Sequence, residues 1–461
     1  MTRGFVSTRV WWLDACQLVR GGAVRTVLAL WVVVGLLALW HGASVMHRQR
    51  EVLAASDARQ AEQHATVFKT AAPAAAGGDL LYYLFFHTRN HPQPWAGVAV
   101  GQRDVQSYNL RVRPLAIEGQ LYDAELGNPW LAALGPLDVA LVIVLLAPLL
   151  VLVLTHDLWS SEREQGTAVL ASVQPVPLGR VMLAKLCIRL AVALAPPLTL
   201  LALAMVALRL PLNGSAAVVA AAVTAYVLFW GALGAAIGIV GRSSAFNLIL
   251  GLSAWMLLAV AGPAAVSTLS AWKYPAPAGL ELTLQQRAGY HGGWDRPLNE
   301  TMAAFYRHYP EWQHTPVPTT VYSNAWYYAM QQRGDDMAAT AASEYERALR
   351  QREAWVQRTG WWLPPVAMQT VFTAAAATDV GSHLDYLASV RRFHDAVERF
   401  FLPAIFLNTP WRDVRWADVP RHDFQAPVGG TRARVAASAL AVQLLVALAV
   451  TWMAARRVTP E

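Results

Sequence analysis

The sequence is short of the groups that most chemistry depends on. It has two cysteines, Cys16 in the leader and Cys187 at the inner end of an apolar run, so neither can staple the long segments outside those runs with a disulfide. Its three lysines, Lys69, Lys185 and Lys273, follow Phe68, Ala184 and Trp272. A P-loop needs Gly-Lys-Ser/Thr to cradle phosphates, so the chain has no nucleotide-binding loop of that kind, and ATP-driven work requires another subunit. Charged residues are 15% of the chain, against ~25% in ordinary globular domains. No His-Glu-x-x-His pattern occurs, and the histidine pair His87 and His91 sits among Tyr and Pro like surface residues, so no metal or other cofactor is expected in this chain.

What remains is apolar: 55% hydrophobic residues, 19 Trp and a mean hydropathy of +0.32. A bilayer-crossing helix needs ~20 mainly apolar residues. Six windows qualify: Thr26–Met46, Leu137–Thr155, Ile188–Leu208, Ala216–Val240, Ala245–Ser270 and Val435–Ala455. The first is longer than a signal-peptide core and reads as an uncleaved anchor. Trp40, Trp130, Trp159, Trp272 and Trp452 fall near window ends, where amphipathic rings favour the headgroup level. The windows hold almost no ionisable groups; Asp138, Arg434 and His41 lie near their ends and read as interfacial anchors. That argues against an ion-coupled carrier, and the lack of a nucleophile–base pair or paired carboxylates in any span argues against an intramembrane enzyme.

The net charge of +7 at first suggests an acidic partner, but its distribution says otherwise. Two long segments, 47–135 and 271–432, carry eight and sixteen basic residues matched by eight and sixteen acidic ones, and are neutral. The excess lies beside the spans, at Arg3, Arg9, Arg20, Arg25, Arg163, Arg180, Lys185, Arg189, Arg242, Arg456 and Arg457, whereas the turn between the third and fourth spans has only Arg209. The positive-inside rule therefore places both termini in the cytoplasm and both long segments outside; no nucleic-acid partner is implied.

The expected fold is an all-α polytopic membrane protein with six transmembrane helices and two large, mainly helical extracytoplasmic loops. Its parts are a leader 1–25, a first span 26–46, an outer domain 47–135, a membrane core 136–270 enclosing a cytoplasmic segment 157–185, an outer domain 271–432, a last span 433–455 and a tail 456–461. In the outer segments, Asp335-Asp336 reads as the cap of a helix running to about Trp355. Pro364-Pro365 reads as a break, Ser382–Phe401 as an amphipathic helix, and Leu80–Phe86 with Leu110–Ile117 as a weak strand pattern. Gly231, Gly234, Gly238 and Gly241 recur at three- and four-residue spacing and predict close helix packing. Pro148, Pro196 and Pro197 predict kinks.

The segment after the second span, DLWSSEREQGTAVLASVQPVPLGRVMLAK, is the most informative. Asp157 can cap a short helix with Leu158, Trp159, Val169 and Leu170 on an apolar side, Gly166-Thr167 interrupts it, and Pro175 and Pro177 end it. The order Glu162-Arg163-Glu164-Gln165-Gly166-Thr167, Gln174-Pro175, Gly179-Arg180, Lys185 resembles the ABC-2-type permease family. The leader, with Val10, Trp11, Leu13, Leu18 and Val19 among Arg9, Asp14 and Arg20, resembles that family's amphipathic elbow helix. Trp361-Trp362-Leu363-Pro364-Pro365, Leu402-Pro403-Ala404 and Asp418-Val419-Pro420 resemble a subgroup of gliding and copper-enzyme-maturation permeases with a helical outer insert of unknown function.

The resemblance implies a non-enzymatic permease subunit of an exporter in the bacterial inner membrane. It implies pairing with two copies of a separate ATPase that hold ATP and Mg, and with a second permease, identical or sibling. Asp157, Glu162, Arg163, Glu164, Gly166, Thr167, Pro175 and Lys185 would then couple the ATPase to the spans. The alternative is mechanical: a subunit that relays ATPase motion to a periplasmic partner and moves no substrate.

Overall fold

The computed structural model describes residues 18, 20–122, 135–167, 178–240 and 243–457. Six helices in it are long and apolar enough to cross a membrane. The first, α1 (Gly22–Ala54), has 33 residues, about 50 Å at 1.5 Å each. That exceeds a bilayer core of ~30 Å, so α1 continues past the membrane, and α2 (Ser56–Thr70) follows it into the insert. The short α3 (Gly77–Leu81), β1 (Phe86–His87), β2 (Asn90–His91), β3 (Arg111–Val112) and α4 (Glu118–Tyr122) complete the first long segment.

The second span, α5, comprises Val139–Leu141, a π-helical stretch Val142–Leu146 and Ala147–Thr155. The π stretch has a cause in sequence: Pro148 offers no N–H to the Val144 carbonyl, so the backbone widens. Partners on other spans meet the freed groups. The Tyr226 hydroxyl donates to the Val144 carbonyl at 2.7 Å, and the Trp255 indole N–H donates to that of Leu145 at 3.0 Å. Next come α6 (Ser160–Glu164), α7 (Leu178–Ala207), which carries Pro196 and Pro197 inside one continuous helix, and α8 (Gly214–Val240). The fifth span, α9, repeats the α5 device: Ser244–Trp255, a π stretch Met256–Ala261, then Gly262–Lys273 with Pro263 in its first turn. Asp138, expected as an interfacial anchor, is instead buried as the N-cap of α5, accepting from the N–H groups of Leu141 and Val100 at 2.8 Å each. Trp159 is also buried, while Trp272 and Trp452 are exposed near the ends of their helices and Trp40 is exposed in the middle of α1, which runs on past it to Ala54.

The remaining helices are α10 (Gly279–His291), α11 (Leu298–His308), α12 (Asn324–Thr359), α13 (Pro364–Ala376) and α14 (Val380–Phe406), with β4 (Phe424–Gln425) before the last span, α15 (Gly430–Arg457). The segments 47–135 and 271–432, read from sequence as two domains, share one core. Leu81, Phe86, Val112 and Tyr122 pack with Leu282, Trp326, Leu384 and Phe401. Two small strand pairs join them or brace them, β1 with β3 antiparallel and β2 with β4 parallel. Asp335 does not cap a helix of its own, because α12 begins eleven positions earlier at Asn324. Its carboxylate instead receives the free N–H groups of Ile117 and Glu118 at the start of α4, at 2.8 and 3.0 Å. The amphipathic 382–401 pattern lies inside α14, and Pro364-Pro365 opens α13 rather than ending order, since proline suits a helix's first turn.

A polar layer marks where insert meets bundle. Arg432 pairs with Glu353 and Asp379 at 3.0 and 3.1 Å, Lys273 lies 4.3 Å over the Trp355 ring, and Arg352 donates to the Tyr274 carbonyl at 2.8 Å. The chain does not stop there. The end of α12 and all of α13 continue into the bundle, where Ala367, Met368, Val371 and Phe372 join the core built by α5, α7 and α8. The register is fixed at both ends: the Gly429 N–H donates to the Ala374 carbonyl at 2.9 Å, and the Gln443 amide donates to that of Gly360 at 2.7 Å. Gly360 therefore lies beside a position 13 residues into α15, about 20 Å along it.

Candidate functional site

At the opposite end of the bundle, the segment after α5 ties three spans together. Two helix starts contribute cations and hydroxyls, and the segment contributes carboxylates. Glu162 on α6 accepts from the Lys185 ammonium of α7 and from the Thr167 hydroxyl. Asp157 accepts from Arg189, one turn further along α7, and the same guanidinium nitrogen donates to the Leu154 carbonyl at 2.8 Å. Asp157 thus serves an ion pair and not the helix cap expected of it; the N-cap of α6 is Trp159, which makes no side-chain cap bond.

The third tie runs to α9. Glu164 receives the Ser244 N–H at 2.7 Å and its hydroxyl at 2.9 Å, and Ser160 meets that hydroxyl at 2.7 Å. Ser243 caps α9, and Asn247 donates to the His156 carbonyl at 3.0 Å. These groups satisfy the first N–H groups of α9, which otherwise lack partners, and the Glu164 charge suits the positive end of the helix dipole.

The tip between these ties faces outward. Arg163, Glu164, Gln165 and Gly166 are exposed, Arg163 lies 5.5 Å over the Trp159 ring, and Gly166 adopts φ +70° with no described residue where a side chain would stand. That conformation is one glycine takes at little cost. Among the described residues the arrangement is a loop braced on its inner side and uncovered at its tip, and its carboxylates are taken up by these ties. Pro175 lies outside the described residues, as do Val169, Leu170, Pro177 and the elbow sequence at Val10–Leu13.

A profile described as ABC-2 family transporter protein matches residues 9–323, more than half of the chain. The chain belongs to the ABC-2 transporter family. A second profile, a domain of unknown function (DUF3526), matches residues 280–425, most of the second insert segment. No curated protein and no solved structure matches. ABC-2 permeases are membrane subunits and not themselves ATPases, so this permease is a multi-pass membrane component with no ATPase role of its own.

Of the residues singled out in sequence, the permease brings Asp157, Glu162, Glu164, Thr167 and Lys185 together and leaves Arg163 and Gly166 at the tip. The glycine pattern of α8 divides. A Cβ on Gly231 would strike Leu190 and one on Gly234 would strike Thr155, whereas one on Gly238 would meet only the Thr155 carbonyl at 3.9 Å; Gly241 is outside the described residues. Sequence reasoning missed Arg189 as a tie, along with Ser160, Ser244 and Asn247. Ser243-Ser244 immediately before an apolar window is an N-cap pattern, and a lone Asn inside that window is the clue that went unused.

Proposed function

We propose that this permease is the membrane subunit of an ATP-driven exporter in a bacterial inner membrane. In this reading it pairs with a second permease, identical or sibling, and with two copies of a separate ATPase that hold ATP and Mg. Both termini and the α5–α7 segment face the cytoplasm. One observation carries the reading: the bare tip at Arg163–Gly166 is braced by carboxylates to the starts of both α7 and α9, as well as to the end of α5. A push on the tip is therefore delivered to three spans at once, as rigid-body coupling requires. Arg163, Gln165 and Gly166 form the contact with the ATPase, and Asp157, Glu162 and the exposed Glu164 act as struts to the neighbouring spans.

The test is reconstitution of the permease with its ATPase in liposomes. Glu162→Gln with Glu164→Gln should leave ATPase binding intact but uncouple ATP turnover from export. Full coupling in that variant would sink the reading.

A second reading, mechanical relay to a partner outside the membrane, is favoured by how firmly the insert is rooted. The Arg432–Glu353–Asp379 layer and the buried α13 make the insert move with α8 and α15. A complex that hydrolyses ATP, moves no labelled solute and alters insert accessibility with ATP would favour relay over export.

A further inference from the structure

The seam between the two insert segments holds a buried cation with no anion. Arg103 lies in the single 3₁₀ turn Gly101–Asp104 of the first segment and is only 7% exposed. Its Nε donates to Gln49 Oε1 of α1 at 3.0 Å and its Nη2 to the Asn90 carbonyl of β2 at 2.7 Å. Both acceptors are neutral. Among the described residues no carboxylate lies within ion-pair reach of Arg103, and Asp104, next to it in sequence, is exposed. Burial pulls the guanidinium down to about 10, with the Tyr386 and Tyr108 hydroxyls acting the other way, so it stays charged at neutral pH. A buried charge with no counter-charge is strongly unfavourable.

The third guanidinium nitrogen, Nη1, has no hydrogen-bond partner and is not sealed in protein. Arg103 borders a cavity of ≈ 10 Å³, room for about one particle of water size. Gln106 and Ser107 of the same loop also line it, half-buried, and their side chains make no hydrogen bond among the described residues. The second segment contributes Thr378, Ser382 and His383, the last two from the first turn of α14, so the cavity lies at the positive end of a 27-residue helix. The two walls are pinned together. The Gln102 N–H donates to the Thr378 carbonyl at 3.0 Å, and Gly101, at φ +54°, leaves no room for a side chain against Thr378.

The other polar groups of the cavity are committed. Asp379 gives its carboxylate to the Ser382 N–H at 2.8 Å and to Arg432 at 3.1 Å. The His383 ring, lowered by burial to about 4, is neutral. Asn90 Oδ1 and Ser382 Oγ lack partners but are closed off from the cavity and take no part.

We propose that this cavity binds one monovalent anion of halide size, such as chloride, against Arg103. Arg103 Nη1, the Gln106 amide and the Ser107 hydroxyl supply the donors. Phosphate and sulfate, each with four oxygens around a central atom, are too large for the space, and water leaves the charge unmatched. Because its walls come from both segments, the ion acts as a clasp between the Gly101–Tyr108 loop and the start of α14.

The test uses the purified full chain in nanodiscs and the NMR linewidth of bulk chloride, which broadens when the ion exchanges with a protein site. Bromide should remove the excess width by displacement, and acetate should not. Arg103→Gln removes the cation, and Gln106→Glu sets a carboxylate at the cavity from a half-buried position. Each should cut the excess width about tenfold, as for loss of one hydrogen bond to a charged group, while Asp104→Asn on the exposed surface should not reduce it. Hydrogen exchange gives a second readout on the same sample. Amides of the Gly101–Tyr108 loop and of the first turn of α14 should be better protected in sodium chloride than in sodium gluconate at equal ionic strength, and the difference should vanish in Gln106→Glu. Equal excess width in the unmodified chain and in Gln106→Glu overturns the proposal. Equal protection in the two salts also overturns it, since water would then be the occupant, as does displacement by acetate as efficient as by bromide. No ATPase is needed, so failure here leaves the exporter reading standing.

Discussion

Arg189 of α7 donates through one nitrogen to both the Asp157 carboxylate and, at 2.8 Å, the Leu154 carbonyl, locking the end of the second span to the start of the third. Its side chain is only 9% exposed, while that of Asp157 is 35% exposed, so the cation is sheltered and the carboxylate is partly open to water. Removing the cation strands a carboxylate and a helix-end carbonyl together. Arg189→Ala should lower stability by about 1–2 kcal/mol, since water can reach the carboxylate left behind, read as a drop in the thermal midpoint of the purified protein. Arg189→Ala combined with Asp157→Asn should lose less than the sum of the single changes.

Gly234 and Gly238 provide a matched pair on one helix. Gly234→Ala drives a methyl into Thr155, whose hydroxyl is held on the Val151 carbonyl at 2.8 Å and which is fully buried, so it cannot swing aside. A loss of about 1–3 kcal/mol is expected, as for other overpacked cores. Gly238→Ala has room and should be close to neutral or slightly stabilising. Equal effects at the two sites would contradict the α5–α8 contact.

At the tip, Gly166 holds φ +70° without crowding. Gly166→Asn should be accepted, because Asn tolerates the left-handed region, while Gly166→Val should strain the loop by about 1–2 kcal/mol. If the tip contacts the ATPase, ATPase stimulation by the permease should fall in Gly166→Val and persist in Gly166→Asn.

The insert should respond to pH in two directions. Burial pushes Glu398 up to about 8 and Asp335 up to about 7, against ordinary values near 4. Folded carboxyls that keep their protons while unfolded ones have released them cost stability as pH rises, here from about 4 to about 8. Burial likewise lowers His383 and His422 to about 4, so these rings resist protonation and stability falls as pH drops below about 6.5. The two trends oppose each other between about pH 4 and 6.5 and balance near pH 5, so the insert should be most stable there. Glu398 sits against His394 at 3.4 Å and the Tyr309 hydroxyl at 3.2 Å, with Asp395 adding repulsion. Glu398→Gln should flatten the alkaline limb, checked by hydrogen exchange of α14 across pH.

The spans were legible because crossing a bilayer leaves a long apolar run with few alternatives, and the charged flanks are equally local. Glu162 and Lys185 were legible as a pattern, though not as partners, because a contact across 23 positions leaves no trace in spacing. Asp335 shows the limit more sharply. Followed by Asp336 it reads as a cap, and it is one, but for a helix start 217 positions earlier. α13 was hidden for a different reason. Thirteen residues are too few to register as a span, so PPVAMQTVFTAAA passed as part of an outer segment when its neighbours in space are the spans themselves.

The Arg89 N–H meets the His422 ring 333 positions away, and β2 finds its partner strand only just before the last span. During synthesis, then, the first long segment emerges and waits through four further spans before its partners exist. Until the stretch from Leu282 to Phe401 has followed, Leu81, Phe86 and Tyr122 lack the partners of their finished core, and the interval is long enough for holding chaperones to act on an open half. Truncation just after the fifth span, before Leu282, should leave the first half of the insert as a target for proteolysis even though every preceding span is in place.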